Sequence, residues 1–319
     1  MHAVISWVNG DDPAHRAKRM KYMGLTPDSA SDDIGGDTRF RSLGEIHWCV
    51  ASINRFAPFI SKIFIITDAQ DPHLGEFLAE NFENPIPVEI VDHKDLFKGY
   101  EAVLPTFNSL SIETMLWNIE GLDEEFVYFN DDFMLLSEIK PEDWFDKEGR
   151  AVIQATRWSA WVAAFLRVIK PTKNGHKPFG YKDSLLNAAD LLGKNHFWYF
   201  GHTPSPLLRS VLRNWFENNP AALEENISYR FRNPLQYNPQ ELFCLLAEDM
   251  DRLKVTSPKH HQLFLKPDAN RPEYMAERLK RADSNPQLMY GCVNSLDKGS
   301  DDDRQLFVDW INRRLGIRP

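Results

Sequence analysis

The sequence predicts an α/β protein organised around a mostly parallel β-sheet. Short apolar runs, rich in β-branched and aromatic residues, alternate with helical segments through the first half of the chain, as in strand–helix–strand units. The strand predicted at residues 126–129 runs directly into Asn130, Asp131 and Asp132. Because ligands of open α/β sheets bind at the carboxyl ends of the strands, this junction is the predicted centre of a functional site.

Each element of the first half follows from a local pattern. Residues 2–8 predict a first strand, and a turn at 9–13 follows it. The stretch 14–38 is polar and lacks a clear period, so we expect a mobile loop over the cleft. Periodicity then predicts a helix at 46–57, a strand at 62–67, a helix at 74–84, a strand at 88–91 and a helix at 109–119. Acidic residues follow strands one, two and four, where we expect them to line one cleft.

The second half of the chain shows mainly helical patterns. We predict helices near residues 181–192, 206–218, 238–253, 272–281 and 302–315. The acidic triplet at 301–303 is interpreted as a negatively charged helix start. The chain therefore divides into an α/β part at 1–155 and a mainly helical part at 156–319, which we expect to form one integrated domain. The four tryptophans Trp158, Trp161, Trp198 and Trp215 are expected to be buried.

The composition limits the classes of function. With 319 residues, 43% hydrophobic and 12% aromatic, the chain is typical of a folded soluble enzyme. A net charge of -9 argues against nucleic acid as a partner, since phosphate-backbone binding needs a basic face. Three widely spaced cysteines predict neither a disulfide framework nor a zinc site. No apolar run approaches the length of a membrane span, so we expect a cytoplasmic protein, or one peripheral to the inner membrane.

Two groups of residues suggest chemistry. Asp131 and Asp132 are suited to a divalent cation, because hard oxygen ligands fit Mg²⁺ or Mn²⁺ and the cation relieves their repulsion. The alternative is a polar turn that caps the strand. His202 lies on a short loop that contains glycine and two prolines, where it is a candidate base, although a structural histidine remains the alternative. Arg230 and Arg232 are candidates for binding phosphate, or ordinary surface residues.

Taken together, these stretches resemble the Stealth family of sugar-phosphate transferases, which includes bacterial capsular polysaccharide phosphotransferases and the lysosomal-enzyme N-acetylglucosamine-1-phosphotransferase. The resemblance comes in four blocks that cover nearly the whole chain. The matching positions are residues 6–13 in the first block; Arg39, Glu45, 52–53, 57–58, 63–65, Thr67, 104–107, 112–113, 121–122 and 130–132 in the second; 201–202 and 231–232 in the third; and 292–294 in the fourth.

The resemblance implies a Rossmann-like sheet similar to nucleotide-sugar transferases, completed by the helical half. It implies transfer of a sugar-1-phosphate, such as an N-acetylhexosamine phosphate, from a UDP-sugar donor to an oligo- or polysaccharide acceptor, with release of UMP, in capsular or exopolysaccharide synthesis. His202 would act as base, and Arg232 and Asp132 would complete the catalytic set. Asp131 and Asp132 would hold Mg²⁺ or Mn²⁺. Substrate contacts are implied for Trp7, Asn9, Gly10, Arg39, Asn108, Asn130, Arg230 and Asn294.

The chain departs from the family pattern at one position that bears on the metal. The fourth block usually has an acid after the asparagine, whereas Ser295 follows Asn294 here. Asp297 or an acid of 301–303 would then take its place, or the site would bind metal more weakly. Two other classes of function therefore stay open: a glycosyltransferase that releases UDP, and a carbohydrate-binding relative without catalysis.

Overall fold

The computed structural model describes residues 1–24, 43–169, 179–258, 261–268, 270–271 and 273–318. Within these residues the strands are β1 (His2–Ser6), β2 (Lys62–Thr67), β3 (Val88–Asp92), β4 (Glu125–Asn130), β5 (Phe133–Leu135), β6 (Ala151–Ser159), β7 (His196–Phe200), β8 (Ser205–Leu208), β9 (Leu253–Thr256), β10 (Gln262–Leu265) and β11 (Tyr290–Val293). The helices are α1 (Pro13–Met23), α2 (Glu45–Phe56), α3 (Leu74–Asn81), α4 (His93–Leu96), α5 (Ser109–Thr114), α6 (Ala160–Ile169), α7 (Tyr181–Leu191), α8 (Arg209–Asn218), α9 (Pro220–Ile227), α10 (Pro239–Asp249), α11 (Tyr274–Asp283) and α12 (Asp301–Leu315).

The first half of the chain builds a five-stranded sheet in the order β3–β2–β1–β4–β8. The pairs β2–β3, β1–β2 and β1–β4 are parallel, and β8 is antiparallel to β4 at one edge. The order 3-2-1-4 is that of a Rossmann-like sheet, which places the carboxyl ends of all four parallel strands along one edge. The predicted fold class is therefore confirmed, and the four predicted strands are present.

The stretch predicted to be a mobile loop begins instead with helix α1. Asp12 caps this helix by accepting a hydrogen bond from the Ala14 backbone N–H, and Gly24 ends it with a φ of 67°. The prediction was wrong for residues 14–23, because cap signals at both ends define a short polar helix that has little apolar periodicity. The remainder, residues 25–38, lies outside the described part of the chain.

The second half contains the predicted helices as α7, α8, α10, α11 and α12, together with strands that were not predicted. Residues 206–208, predicted to begin a helix, belong to β8 and pair with β4; the helix begins at Arg209. Two small sheets have the orders β7–β6–β9 and β10–β11–β5. Residue 155 lies inside β6, so the predicted division between the halves falls within a strand.

Two apolar clusters hold these layers together. The larger surrounds the main sheet, whose β1 residues Ala3, Val4 and Ile5 are fully buried. The smaller joins α2 to the C-terminal helices through Trp48, which donates to the Asn312 side chain at 3.0 Å and packs edge-on against Phe307. The start of α12 matches the prediction, because Ser300 and Asp303 form a capping box at its first turn.

Helix α6 differs from the other helices in exposing most of its large apolar side chains. Trp161 is 78% exposed, and Val162, Phe165, Leu166, Val168 and Ile169 are between 47% and 69% exposed. The prediction that Trp161 is buried was therefore wrong. The other three tryptophans of that prediction are partly buried and pack against the larger cluster: Trp158, Trp198 and Trp215. Among the described residues no helix is both long and apolar enough to cross a membrane.

Candidate active site

A cavity of about 550 Å³ opens at the carboxyl edge of the main sheet. Residues from both halves of the chain line it. The residues that line it include Ser6, Trp7, Glu45, Ile66, His93, Thr106, Asn108, Ser109, Glu113, Asn130, Asp131, Asp132, His202, Arg232, Asn294 and Asp297. The location agrees with the rule that α/β sheets bind ligands beyond the carboxyl ends of their strands.

Asp131 and Asp132 form the turn between β4 and β5, which belong to different sheets. The Val293 backbone N–H donates to the Asp132 carbonyl oxygen at 3.2 Å, and the Cys292 thiol donates to Asp132 Oδ2 at 3.3 Å. Burial raises the pKa of Asp131 well above its usual range, and the charges of Asp132 and Glu45 raise it further. Burial also raises the pKa of Asp132. A cation beside the pair would favour the ionised form of both carboxyls.

The residues around the acid pair suit a cation that shares its coordination with a ligand. Within the described ranges no group of three or more histidine, cysteine, aspartate or glutamate side chains forms a metal site. Asp131 and Asp132 would therefore supply two ligands, which is the usual protein share for Mg²⁺ bound together with substrate phosphates and water. The donor set fits such a shared cation and does not fit a closed structural metal site.

The acids considered as replacements at Ser295 occupy different places. Asp297 lines the cavity. Asp301 pairs with Arg304 at 2.7 Å, and Asp303 accepts a hydrogen bond from the Ser300 hydroxyl at 2.9 Å, so these two belong to the start of α12. Ser295 itself donates to Asn294 Oδ1 at 3.0 Å. Of these acids, Asp297 is the one that the structure brings to the cavity.

His202 lies just beyond β7 and is held by its neighbours' rings. It stacks on Phe264 with ring centroids 4.6 Å apart and meets the edge of Phe133 at 6.4 Å. A Cβ atom at Gly201 would lie 2.1 Å from Gln262 Oε1, so glycine lets the loop pass this close to β10. Among the described residues the ring nitrogens have no hydrogen-bond partner, which leaves them available to a ligand. Burial, and secondarily Lys266, lowers the pKa of His202 and favours the neutral imidazole.

The structure separates the two candidate arginines. Arg232 lines the cavity, and its Nη2 donates to the Ser109 hydroxyl at 2.8 Å. The Arg230 guanidinium instead lies 5.0 Å from the centre of the Tyr22 ring, and the Arg230 carbonyl accepts a hydrogen bond from Phe107. Of the two arginines, Arg232 is the one that lies at the cavity, with the Ser109 hydroxyl beside it.

Trp7, Asn130 and Asn294 lie at the cavity, as predicted for substrate-binding residues. The Trp7 indole N–H is buried, and the described residues offer it no hydrogen-bond partner. Asn130 Oδ1 accepts a hydrogen bond from the Tyr128 hydroxyl at 2.9 Å, which fixes the amide at the end of β4. These positions follow from the register of β1 and β4, because Ser6 and Asn130 are direct neighbours.

The other predicted substrate contacts are placed differently. Asn9 is bound to Gln70 through its backbone, and neither Asn9 nor Gly10 lines the cavity. Asn108 lines the cavity but is fully buried: its Oδ1 caps α5, and its Nδ2 donates to the Tyr229 carbonyl and the Gln236 side chain. Asn108 therefore stabilises the cavity wall through these hydrogen bonds. Arg39 lies outside the described residues.

The acids that follow the first two strands are also used within the protein. The side chain of Asp12 caps α1. Asp68 accepts hydrogen bonds from the Lys18 ammonium at 2.8 and 2.9 Å. Neither residue lines the cavity, so the acids after strands one and two do not form the common cleft that we expected. The acidic residues that line the cavity are Asp131 and Asp132 after β4, together with Glu45, Glu113 and Asp297.

Sequence reasoning missed His93 and Thr106, which line the same cavity. His93 begins α4 directly after β3, and both of its ring nitrogens are buried without a partner among the described residues. The Thr106 hydroxyl is likewise buried without a hydrogen-bond partner among the described residues. Since buried polar groups are normally hydrogen-bonded, unsatisfied groups in a cavity wall indicate a ligand site. The signal available in the sequence was the position of His93 at the end of a parallel strand.

The fold and the cavity define an α/β protein whose site joins the carboxyl ends of a Rossmann-like sheet to a histidine and an arginine from the second half. Two family models match the chain: Stealth protein CR1, conserved region 1, at residues 3–26, and Stealth protein CR2, conserved region 2, at residues 39–153. The chain belongs to the Stealth family, which confirms the resemblance described above.

Sequence matches to curated relatives extend over most of the chain. The receptor polysaccharide phosphotransferase WefC of Streptococcus oralis is 31% identical over 82% of this chain and 82% of its own length. An exopolysaccharide phosphotransferase of Nocardia farcinica is 35% identical over 72% of this chain, but the match spans 42% of that relative. Among solved structures, the galactosyltransferase LgtC in complex with donor and acceptor sugar analogs aligns with a TM-score of 0.47 and 10% identity, over 99% of this chain and 95% of that one.

Proposed function

We propose that this chain is a hexose-1-phosphate transferase, which moves a sugar-1-phosphate from a UDP-sugar to a hydroxyl of an oligo- or polysaccharide and releases UMP. The supporting observation is one cavity in which Asp131 and Asp132 lie together with His202 and Arg232. The names of the relatives, which are polysaccharide phosphotransferases, support the same reaction class. An N-acetylhexosamine donor and a role in capsular or exopolysaccharide synthesis are the finer parts of this proposal.

The reaction needs a base on the acceptor side. The acceptor oxygen attacks the β-phosphorus, a new oxygen–phosphorus bond forms, and the bond from the β-phosphorus to the bridging oxygen breaks, so that UMP leaves with that oxygen. His202 takes the hydroxyl proton on an accessible ring nitrogen. Desolvation by the surrounding protein lowers the pKa of His202, which favours the neutral imidazole, the form that can accept the proton.

The transferred phosphoryl group needs positive charge around its oxygens. Arg232, oriented by its hydrogen bond to Ser109, supplies a fixed guanidinium at the cavity wall. A divalent cation held by Asp131 and Asp132 would neutralise phosphate charge when bound. The unpaired groups of Trp7, His93 and Thr106 supply donors and acceptors for the rest of the donor nucleotide.

The nucleotide product tests the proposal. Attack at the β-phosphorus yields UMP, whereas attack at the anomeric carbon leaves both phosphates on uridine and yields UDP. Incubation with candidate UDP-sugars and an acceptor oligosaccharide, followed by anion-exchange separation of nucleotides, should give UMP together with a phosphorus-31 signal of a phosphodiester. UDP as the sole nucleotide product would identify a glycosyltransferase, and absence of turnover with every donor would favour a binding protein.

A further inference from the structure

A second cavity, of about 240 Å³, adjoins the first on the side of α7 and β7. Four residues, Glu113, Asn130, His202 and Arg232, line both cavities. The proposed base and the proposed phosphate-binding arginine therefore stand at the junction between two compartments. The larger lies within the range of about 300–1,000 Å³ that is usual for drug-sized ligands, and the smaller falls below it, which suits a single sugar ring.

The lining of the small cavity includes aromatic residues. Tyr181 at the start of α7 meets the edge of the Phe200 ring at 5.9 Å, and its hydroxyl lies 3.5 Å from the Phe200 carbonyl oxygen as a weak donor. Tyr181 lines this cavity, and 40% of the residue is exposed. Phe133 also lines this cavity, and its ring lies edge-on to the ring of His202. Aromatic rings of this kind cover the apolar C–H face of a pyranose and leave its hydroxyls to polar partners.

The lining of the small cavity also includes polar groups with fixed orientations. Glu113 is 6% exposed, and its carboxylate accepts a hydrogen bond from Gln240 Nε2 at 2.9 Å. Gln240 is in turn held by the Ser205 hydroxyl, which donates to Gln240 Oε1. Asn238 is 3% exposed, and its Oδ1 caps α10 by accepting from Glu241 N at 2.9 Å. Among the described residues its Nδ2 has no partner, so an amide donor at the wall is free for a ligand.

We propose that this second cavity binds one terminal pyranose ring of the acceptor and presents its hydroxyl to His202. The inference deepens the proposed function and rests on it for the direction of transfer. In-line phosphoryl transfer places the attacking oxygen opposite the leaving group. If the nucleotide occupies the large cavity, the acceptor must approach across the residues shared by both compartments, and the small cavity is the space on that side.

Binding of simple sugars tests the inference without catalysis. The probes are methyl glycosides of glucose, galactose, N-acetylglucosamine and N-acetylgalactosamine. Their binding to the full chain, saturated with UMP, is measured by ligand-observed NMR. We expect at least one to bind. Tyr181→Ala should weaken that binding about fivefold to tenfold, the size of one aromatic contact, while the matched control Tyr181→Phe retains it because the ring remains. Asn238→Asp keeps the helix cap but removes the amide donor, and should weaken binding about tenfold.

Kinetics then separates this inference from the proposed function. With an active donor and acceptor pair, Tyr181→Ala should raise the KM for the acceptor and leave the KM for the UDP-sugar within about twofold, because an acceptor contact is lost without a change at the donor. A rise in the donor KM instead would assign the small cavity to the donor sugar and overturn the inference. The inference is also overturned if no methyl glycoside binds, or if the Tyr181→Ala variant binds the glycoside as tightly as the wild type. Absence of UMP production contradicts the proposed function, whereas the NMR result still decides whether this cavity holds a sugar.

Discussion

At the scale of single residues, His202 combines two properties that a general base needs. Its ring is fixed by stacking on Phe264, and its nitrogens remain open to a ligand among the described residues. Burial lowers its pKa, which keeps the imidazole unprotonated at neutral pH. No carboxylate of the described residues bonds to the ring, so its contacts with Phe264 and Phe133 set its orientation.

Replacement of His202 by alanine should therefore reduce turnover by about 10²–10⁴, the usual contribution of a general base. Binding of the UDP-sugar, measured by calorimetry, should stay within a few-fold, since the proton is taken from the acceptor. His73→Ala is the matched control, because the His73 side chain is 87% exposed. Near wild-type turnover in His202→Ala would show that this histidine is structural.

The acid pair predicts opposite effects on activity and stability. Asp132→Asn removes one charge from a group in which Asp131, Asp132 and Glu45 repel one another. We expect turnover to fall by orders of magnitude, because a cation ligand is lost, while thermal unfolding occurs at the same or a higher temperature. EDTA in excess should abolish the activity of the wild type. Full activity with EDTA, or in Asp132→Asn, would remove the cation from the proposed mechanism.

The residues of the site were predictable to different degrees. Asp131 and Asp132 follow an apolar strand, and this local pattern is sufficient to place them at a sheet edge. His202 and Arg232 depended on the family resemblance, because their loops have no period. His93 was missed because its feature, two buried nitrogens without a partner among the described residues, exists only after folding. Asn9 showed the reverse: the family resemblance implied a substrate contact, whereas its backbone is hydrogen-bonded to Gln70, which follows β2.

At the scale of elements, the junction of β4 and β5 determines the geometry of the site. β4 lies in the main parallel sheet, whereas β5 pairs with β11 in a small sheet. The two residues between these strands are the acid pair, so the connection between sheets also presents the carboxylates. The C-terminal end of β11 carries Asn294 to the same place. This explains how residues from the two ends of the chain meet at one cavity.

Long, well-patterned elements were predictable, and short strands with distant partners were not. β2 and α2 have a clear pattern within their own residues. β8, in contrast, has four residues that lead into α8, and it is a strand because it pairs with β4 some 80 residues earlier. Such pairing depends on tertiary context that a local window does not contain.

Trp161 on helix α6 and Trp144 in the core allow a direct comparison of an exposed and a buried tryptophan. Trp161 on this helix is 78% exposed, and Trp144 in the core is 1% exposed. Trp161→Ala should change the free energy of unfolding by less than about 0.5 kcal/mol, as is usual for surface substitutions. Trp144→Ala should lower it by about 3–5 kcal/mol, because a large buried ring leaves a cavity. Denaturant unfolding monitored by circular dichroism measures both; a loss above about 2 kcal/mol for Trp161→Ala would contradict its exposed position.

At the scale of the whole molecule, the site exists only when both halves are folded together. The carboxyl edge of the main sheet supplies the acid pair, while His202 and Arg232 come from the second half. β8 joins the main sheet directly, which ties the histidine loop to the strand that carries Asp131. The same close packing buries two histidines that line the cavity, His15 and His93, and burial lowers the pKa of both, which makes the stability of the protein dependent on pH.

His93 shows the sign of that dependence. Burial lowers its pKa to about 4, whereas a histidine in an unfolded chain has a pKa of about 6.5. Between these values the unfolded state binds a proton that the folded state does not. The free energy of unfolding is therefore not reduced by His93 above pH 6.5. It falls as the pH drops toward 4, with a slope of up to about 1.4 kcal/mol per pH unit for this group.

His93→Leu removes the titrating group at similar volume and also removes two buried nitrogens that lack partners among the described residues. The variant should be at least as stable as the wild type at pH 7.5, and its free energy of unfolding should fall less steeply between pH 6.5 and 4.5. Leu96→Ala on the same helix is the control: it lowers stability at every pH through a lost apolar contact and keeps the wild-type slope. Urea unfolding at a series of pH values measures all three proteins. An unchanged slope in His93→Leu would show that His93 does not contribute to acid denaturation, and the dependence would then be assigned to the other buried histidines.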